Sequence, residues 1–292
     1  MFVLAHVSDV HMAGRPRPAE LVGKRGLGFI NWQRKRKYIH RPDVLAAITR
    51  DLTAQTYDHV AVTGDLVNFS LAEEYQRAAG WLAALGTPRQ VSVVPGNHDT
   101  YVRGTEGAPA AFWGDFMRGD DGVDRFPYVR RRGDVALVAL STALPTGPFM
   151  ATGRLGGRQL ARFAEALDQT RGLFRVVLIH HPPRSPWRRH LRRLIDAPQL
   201  RAVLAAKGAE FLLHGHDHRR AVIWLDGPQG SKIPAVGVPS ASAQAPHGGE
   251  DGAGYNVFHI DGGGGDWRCE WIARQRGADG LVTEISRRTL TP

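Results

Sequence analysis

Five times along this chain an apolar run gives way to residues that bind metal ions through oxygen or imidazole nitrogen. VLAHVS runs into Asp9-Val10-His11, HVAVT into Gly64-Asp65-Leu66-Val67-Asn68, and VSVVP into Gly96-Asn97-His98-Asp99. RVVLI runs into His180-His181-Pro182-Pro183, and EFLLH into Gly215-His216-Asp217-His218. Carboxylate, amide and imidazole without thiolate suit Mn²⁺, iron or Zn²⁺ at a catalytic site, whereas structural zinc more often takes several cysteines. Asp9, His11, Asp65, Asn97, His180, His216 and His218 are seven candidate ligands, too many for one ion. A pair of ions sharing a carboxylate would use them all. Two ions about 3.5–4 Å apart can clamp the attacking and leaving oxygens of a phosphoryl centre.

Ligands this far apart in sequence need a fold that gathers them. A short apolar run bounded by Gly or Pro reads as a buried strand, and open α/β sheets collect ligands beyond the carboxyl ends of their strands. The five runs therefore predict five strands ending at one rim. Between them, Pro42 opens a helical stretch, DVLAAITRDLTAQ, and 71–85 and 157–170 read as two more helices. DVALVAL at 134–140 reads as a further strand, and 100–125 as a partly helical connection. From residue 221 the pattern turns to strands joined by Gly-rich turns. Mixed βα units with a strand-rich end predict an α/β class, with two sheets packed together and helices outside. The clusters extend from residue 9 to residue 218, so one domain over 1–280 is expected. A basic, aromatic, loop-like insertion is expected at about 14–41, and a loose tail at 281–292.

In order, D-x-H, G-D-x-x-N, G-N-H-D, H-H-P-P and G-H-x-H resemble the calcineurin-like metallophosphoesterases over roughly residues 2–260. The resemblance implies a four-layer α/β/β/α sandwich of two mixed sheets flanked by helices, in keeping with the strand pattern. It further implies that Asp9, His11 and His218 hold one ion, and that Asn97, His180 and His216 hold the other, with Asp65 bridging. A metal-bridging hydroxide would attack phosphorus, His98 would touch the scissile phosphate, and Asp99 would orient His98. Taken singly, each residue has an ordinary reading, since Asp65 and Asn97 follow glycines where turn residues are expected. His181 and His214 read as packing or supporting residues. His6, His40, His59, His190, His247 and His259 read as structural. The chain lacks G-x-x-x-x-G-K-[ST], H-E-x-x-H and G-x-S-x-G, which excludes the chemistries those motifs carry.

A formal charge of +10 points to anionic partners. Two basic segments bear on which. Residues 24–41, KRGLGFINWQRKRKYIHR, mix cations with Leu27, Phe29, Ile30 and Trp32. In WRRHLRRLI at 187–195, helical spacing would put Trp187, Leu191, Leu194 and Ile195 on one face and arginines on the other. Such segments suit solvated helix faces or a basic amphipathic rim meeting a membrane or an amphiphilic anion. The expected substrate is an anionic phosphate ester with a phosphodiester-type bond. The alternative is a lipid-linked pyrophosphate such as UDP-2,3-diacylglucosamine, though the commonest bacterial hydrolases of that type carry Arg where His98 stands. A nuclease fits the charge, but no nucleic-acid-binding module is present. A non-catalytic scaffold would show damaged ligands, and none is damaged. A lone Cys269, the absence of a signal-peptide pattern and of a spanning apolar run predict a cytoplasmic protein.

Overall fold

The computed structural model describes residues 1–290. Three parallel strands begin the chain: β1 (Phe2–Val7), β2 (His59–Val62) and β3 (Val91–Val93). The chain then builds a second sheet from β4 (Tyr128–Arg132), β5 (Val135–Ala139), β6 (Phe174–Leu178), β7 (Phe211–His214), β8 (Ala221–Asp226) and β9 (Lys232–Gly237). It returns through β10 (Gly254–Gly263), β11 (Asp266–Arg276) and β12 (Val282–Thr289) to complete the first. The orders are β12-β11-β10-β1-β2-β3 and β4-β5-β6-β7-β9-β8. Both sheets are mixed: β5, β6, β7 and β9 run parallel, while β10 pairs antiparallel with β1.

Period-2 alternation explains the layering. Val135, Leu137 and Ala139 of β5 join one core with Leu4, Val60 and Phe258 of the other sheet, whereas Val138 and Leu140 join a second core. That second core is closed by Phe163 and Leu167 of α6 (Gly157–Gln169) and Leu200 and Leu204 of α7 (Ala197–Lys207). α3 (Pro42–Thr53) buries Val44, Ile48 and Leu52, and α4 (Ala72–Leu85) buries Tyr75, Ala78 and Leu82, against the first sheet's core. The architecture is two six-stranded mixed sheets flanked by helices. Between α4 and β4 lies a short helix α5 (Ala108–Trp113).

Three expectations need correction. Residues 24–39, expected as loop, form a continuous helix of α1 (Lys24–Asn31), a π-helical turn (Trp32–Arg36) and α2 (Lys37–Ile39). Phe29 and Trp32 pack on Phe69, Leu71 and Tyr101, a small separate core that overrides the two glycines inside α1. The expected tail at 281–292 includes β12, an edge strand paired with β11. The segment 187–195 is no single amphipathic helix. Trp187–Arg192 is 3-10 helix kinked at Arg189, with Leu194 buried and Trp187 84% exposed.

Candidate metal centre and active site

All five predicted runs are strands, and each ends on the same rim. β1 delivers Asp9 and His11, β2 Asp65, β3 Asn97 and His98, β6 His180, and β7 His216 and His218. The turns that aim them are strained. Asp9, His11, Asp65, His216 and His218 take φ of 56°, 50°, 54°, 67° and 51°, a region that non-glycine residues seldom occupy. Strain of this kind persists where surrounding structure holds it, and it clusters at functional sites. Here the turns are cross-knit: His11 N–H donates to Asp65 O, Asp9 N–H to Gly64 O, and Met12 N–H to Leu66 O. Close approach also demands glycine. A Cβ on Gly96 would lie 2.2 Å from Asp65 Oδ1, and one on Gly215 would lie 2.4 Å from Asp9 Oδ2.

The side chains meet in two overlapping groups. His218 Nε2 lies 3.1 Å from His11 Nε2 and 3.2 Å from Asp9 Oδ1. His180 Nε2 lies 3.3 Å from His216 Nδ1 and 3.4 Å from Asp65 Oδ2. Asp65 Oδ2 also lies 4.0 Å from His11 Nε2, so one carboxylate faces both groups. His11, Asp65 and His98 satisfy the spacing of an ion site, as do Asp65, His180 and His216. Asp9 Oδ1 and Asn97 Oδ1 are shut off from solvent without a hydrogen-bond donor. Buried polar atoms are normally paired, so these two oxygens fit the coordination of a cation.

Ring orientations are fixed from behind. His180 Nδ1 donates to Thr63 O at 2.6 Å, which leaves Nε2 facing the rim. His216 Nε2 donates to Arg192 O at 2.8 Å, leaving Nδ1 inward, and His218 Nδ1 pairs with Glu250 at 2.7 Å. Outer partners of this kind set the tautomer of a ligating imidazole. Burial works against protonating His180 and His218, yet the carboxylates of Asp65 and Asp9 draw both up to about 9. The arrangement attracts positive charge. His11 and His216 behave oppositely, held well below the usual range by burial and by neighbouring cationic groups.

His98 and Asp99 sit at the centre but do not touch as expected. His98 Nδ1 donates to Asn68 O at 2.7 Å, so a backbone carbonyl orients the ring. Asp99 instead accepts four backbone N–H groups, from Asp65, Leu66, Val67 and Gly96. It pins the β2 and β3 turns together. Burial and nearby Asp65 push it up to about 7 against those four donors, which favour the charged form. His181 uses both nitrogens, on Thr142 Oγ1 and Ala151 O, in a supporting role.

More residues line the site, some from the basic segments expected to bear on the substrate and others, His40 and Glu250 among them, that carried no such signal. His40, read as structural, stands with its ring centroid 4.4 Å from that of His11 and groups with His11 and His218. Arg36 donates to His11 Nδ1 at 3.0 Å and reaches His98 Nε2 at 3.4 Å. Lys24, Lys35, Arg192, His247 and Glu250 line the same cavity of about 360 Å³. The helix over 24–39 brings Lys24, Lys35 and Arg36 over the rim, while Arg192, His247 and Glu250 reach it from other segments.

The family model for calcineurin-like phosphoesterases matches residues 2–220, and the chain belongs to that family. Members depend on two metal ions, and the groups above are this chain's candidates. Purple acid phosphatase PPD1 from yellow lupin (Lupinus luteus) seeds shares the fold with a TM-score of 0.63 at 14% identity, covering 99% of this chain and 53% of that one. Thermus thermophilus sulfate thiohydrolase SoxB gives 0.50 at 18% identity, covering 99% and 56%. The chain thus spans about half the length of either. No curated protein matches it by sequence.

Proposed function

We propose that this protein hydrolyses a phosphodiester-type bond at the rim where the five strands end. The carrying observation is Asp65, whose Oδ2 faces His180 Nε2 at 3.4 Å and His11 Nε2 at 4.0 Å. Asp9, His11 and His218 would hold one ion, Asn97, His180 and His216 the other, with Asp65 between. Bound there, two divalent ions supply Lewis acidity and a lowered pKa for water. The chain's own residues do the rest. Asp99 holds Asp65 in register through the backbone. His98, kept neutral by burial and by Arg36, which push it down to about 3, presents Nε2 to the cavity. The basic lining of Lys24, Lys35, Arg36 and Arg192 draws in an anionic ester.

A second reading is favoured by a specific surface. Leu27, Ile30, Phe149, Trp187, Leu191 and Ile195 are 43, 49, 82, 84, 41 and 45% exposed on the segments that border this cavity. Ala151 N–H donates to Leu191 O and Ile195 N–H to Gly153 O, so two of these segments are joined. Apolar side chains around a cationic cavity suit an amphiphilic substrate such as a lipid-linked pyrophosphate. No helix among the described residues is long and apolar enough to cross a membrane.

The test is Mn²⁺-supported hydrolysis of 3′,5′-cyclic AMP beside UDP-2,3-diacylglucosamine in mixed micelles, with Asp65→Asn as control. Turnover of the nucleotide alone supports the first reading, and turnover of the lipid alone the second. Turnover of neither, or turnover that Asp65→Asn leaves intact, defeats both. The variant should lose roughly a hundredfold or more, since even outer partners of metal ligands are worth 10–100-fold.

A further inference from the structure

We infer that Arg36 is an anion-binding residue, whose guanidinium takes a phosphoryl oxygen of the substrate, with Lys24 and Arg192 forming a cationic wall for a second anionic group. This deepens the hydrolase reading and rests on it for the identity of the ligand. The substrate class it names is a compound with two neighbouring anionic groups, such as a pyrophosphate.

Four observations carry it. Arg36 is enclosed in the cavity, and its Nε is shut off from solvent with no acceptor. A buried guanidinium with an idle N–H is costly unless something accepts from it. Second, among the described residues Arg36, Lys24, Lys35 and Arg192 form no ion pair within 4.0 Å, although all four line one cavity. The nearby Glu250 is already engaged by His218 and His247. Third, the helix that carries Arg36 is rigidly seated. Phe29 and Trp32 pack on Phe69 and Tyr101, and Arg25 donates to Phe69 O and Ser70 O, on the turn that follows Asn68. Lys24 lies 4.4 Å over the Tyr101 ring, which stacks on His98 at 5.0 Å. The turn Trp32–Arg36 is π-helical, a local widening frequent at functional sites.

The fourth observation is a matter of proton position. Arg36 donates to His11 Nδ1, which must then present a lone pair, with the ring proton on Nε2. A His11 that ligates through Nε2 carries its proton on Nδ1 instead, and two donors would face each other. The guanidinium then needs another acceptor. An oxyanion in the cavity supplies one in the planar, two-pronged form that arginine recognises best.

Titration calorimetry on the full chain, metal-free and Mn²⁺-loaded, with inorganic phosphate and with pyrophosphate as probes, tests this. The wild type should bind pyrophosphate more tightly than phosphate. Arg36→Gln should weaken phosphate binding about 10- to 100-fold in the loaded protein. Arg36→Lys, which keeps the charge and removes the fork, should recover part of the loss, and exposed Arg34→Gln should match wild type. With a turned-over substrate, Arg36→Gln should raise KM more than it lowers kcat. Metal content and melting temperature, unchanged in Arg36→Lys, separate lost binding from lost structure. Equal phosphate affinity in wild type and Arg36→Lys, or equal weakening by Arg34→Gln, overturns the inference. If the loaded protein hydrolyses no ester yet its phosphate binding depends on Arg36, the hydrolase reading fails and this one stands.

Discussion

Asp99 shows how a residue can matter to the chemistry without meeting the substrate. Its two oxygens collect amides from both the turn that carries Asp65 and the turn that carries Asn97. Asp99→Asn would replace one acceptor with a donor facing those amides. Hydrogen bonds to charged groups are worth about 1.5–3 kcal/mol, so urea unfolding should show a loss of at least that order. Mn²⁺ affinity should fall with it, while Asp65→Asn should lose metal with little loss of fold. Wild-type affinity in Asp99→Asn would show that the turns hold without their clamp. The seven ligand candidates were legible because each stands at a fixed place, just past an apolar run. Arg36, His40 and Glu250 were not. Their roles depend on which ring or carboxylate lies across the cavity, and nothing in their neighbours in sequence encodes that.

At the scale of elements, β1 and β2 carry two buried histidines that stand apart from the rim. His6 Nε2 pairs with Thr63 Oγ1 at 2.9 Å and His59 Nε2 with Ser92 Oγ at 2.8 Å, while both Nδ1 atoms are buried without a partner. Protonation would place an N–H against nothing. Burial, aided by His214 for His6 and by Arg130 and Arg132 for His59, pushes each ring down to about 3. The unfolded chain binds these protons near pH 6.5, so the folded state is fully stable above that pH. Stability is lost as pH falls from there toward 3, at ~1.4 kcal/mol per pH unit for each ring. Urea titrations of metal-free protein at pH 7.5 and 5 should show a smaller difference for His59→Gln than for wild type. Equal differences would mean that the ring titrates normally in the fold. The strands were readable because burial on both faces leaves uninterrupted apolar runs. β4 was missed because YVRRR looks polar, yet Arg130 is buried and satisfied by the carbonyls of Pro88, Val91, Asp115 and Arg118. β12 is exposed along most of its length at a sheet edge, with no inside-outside alternation, and only its pairing with β11 marks it as strand.

For the whole molecule, ions at the rim would tie both sheets together, since β1, β2 and β3 belong to one and β6 and β7 to the other. Binding to the folded state alone stabilises by ~2.7 kcal/mol at a hundredfold excess over Kd. For a chain of this size that corresponds to about 4 °C in melting temperature. Chelation should lower the melting temperature by that order and abolish hydrolysis, and Mn²⁺ should restore both. Melting that ignores chelator and metal alike would rule out ions as a bridge between the sheets. The resemblance read from five motifs reached the two-sheet architecture, while the seating of the 24–39 helix over the rim came only from the structure.

The five strands that end at the rim are not consecutive, and this has a bearing on synthesis. Asp9 and His11 leave the ribosome first, but the group that would surround them lacks His218, and the neighbouring group lacks His216, until more than two hundred residues have followed. A chain growing at about 5–20 residues per second therefore spends roughly ten seconds or more with early carboxylates and imidazoles that no later strand has yet joined. Neither proposed ion position has its full donor set before β7 is in place. Metal uptake at the proposed positions would therefore wait until strands of both sheets, β1 to β3 and β6 and β7, have been made.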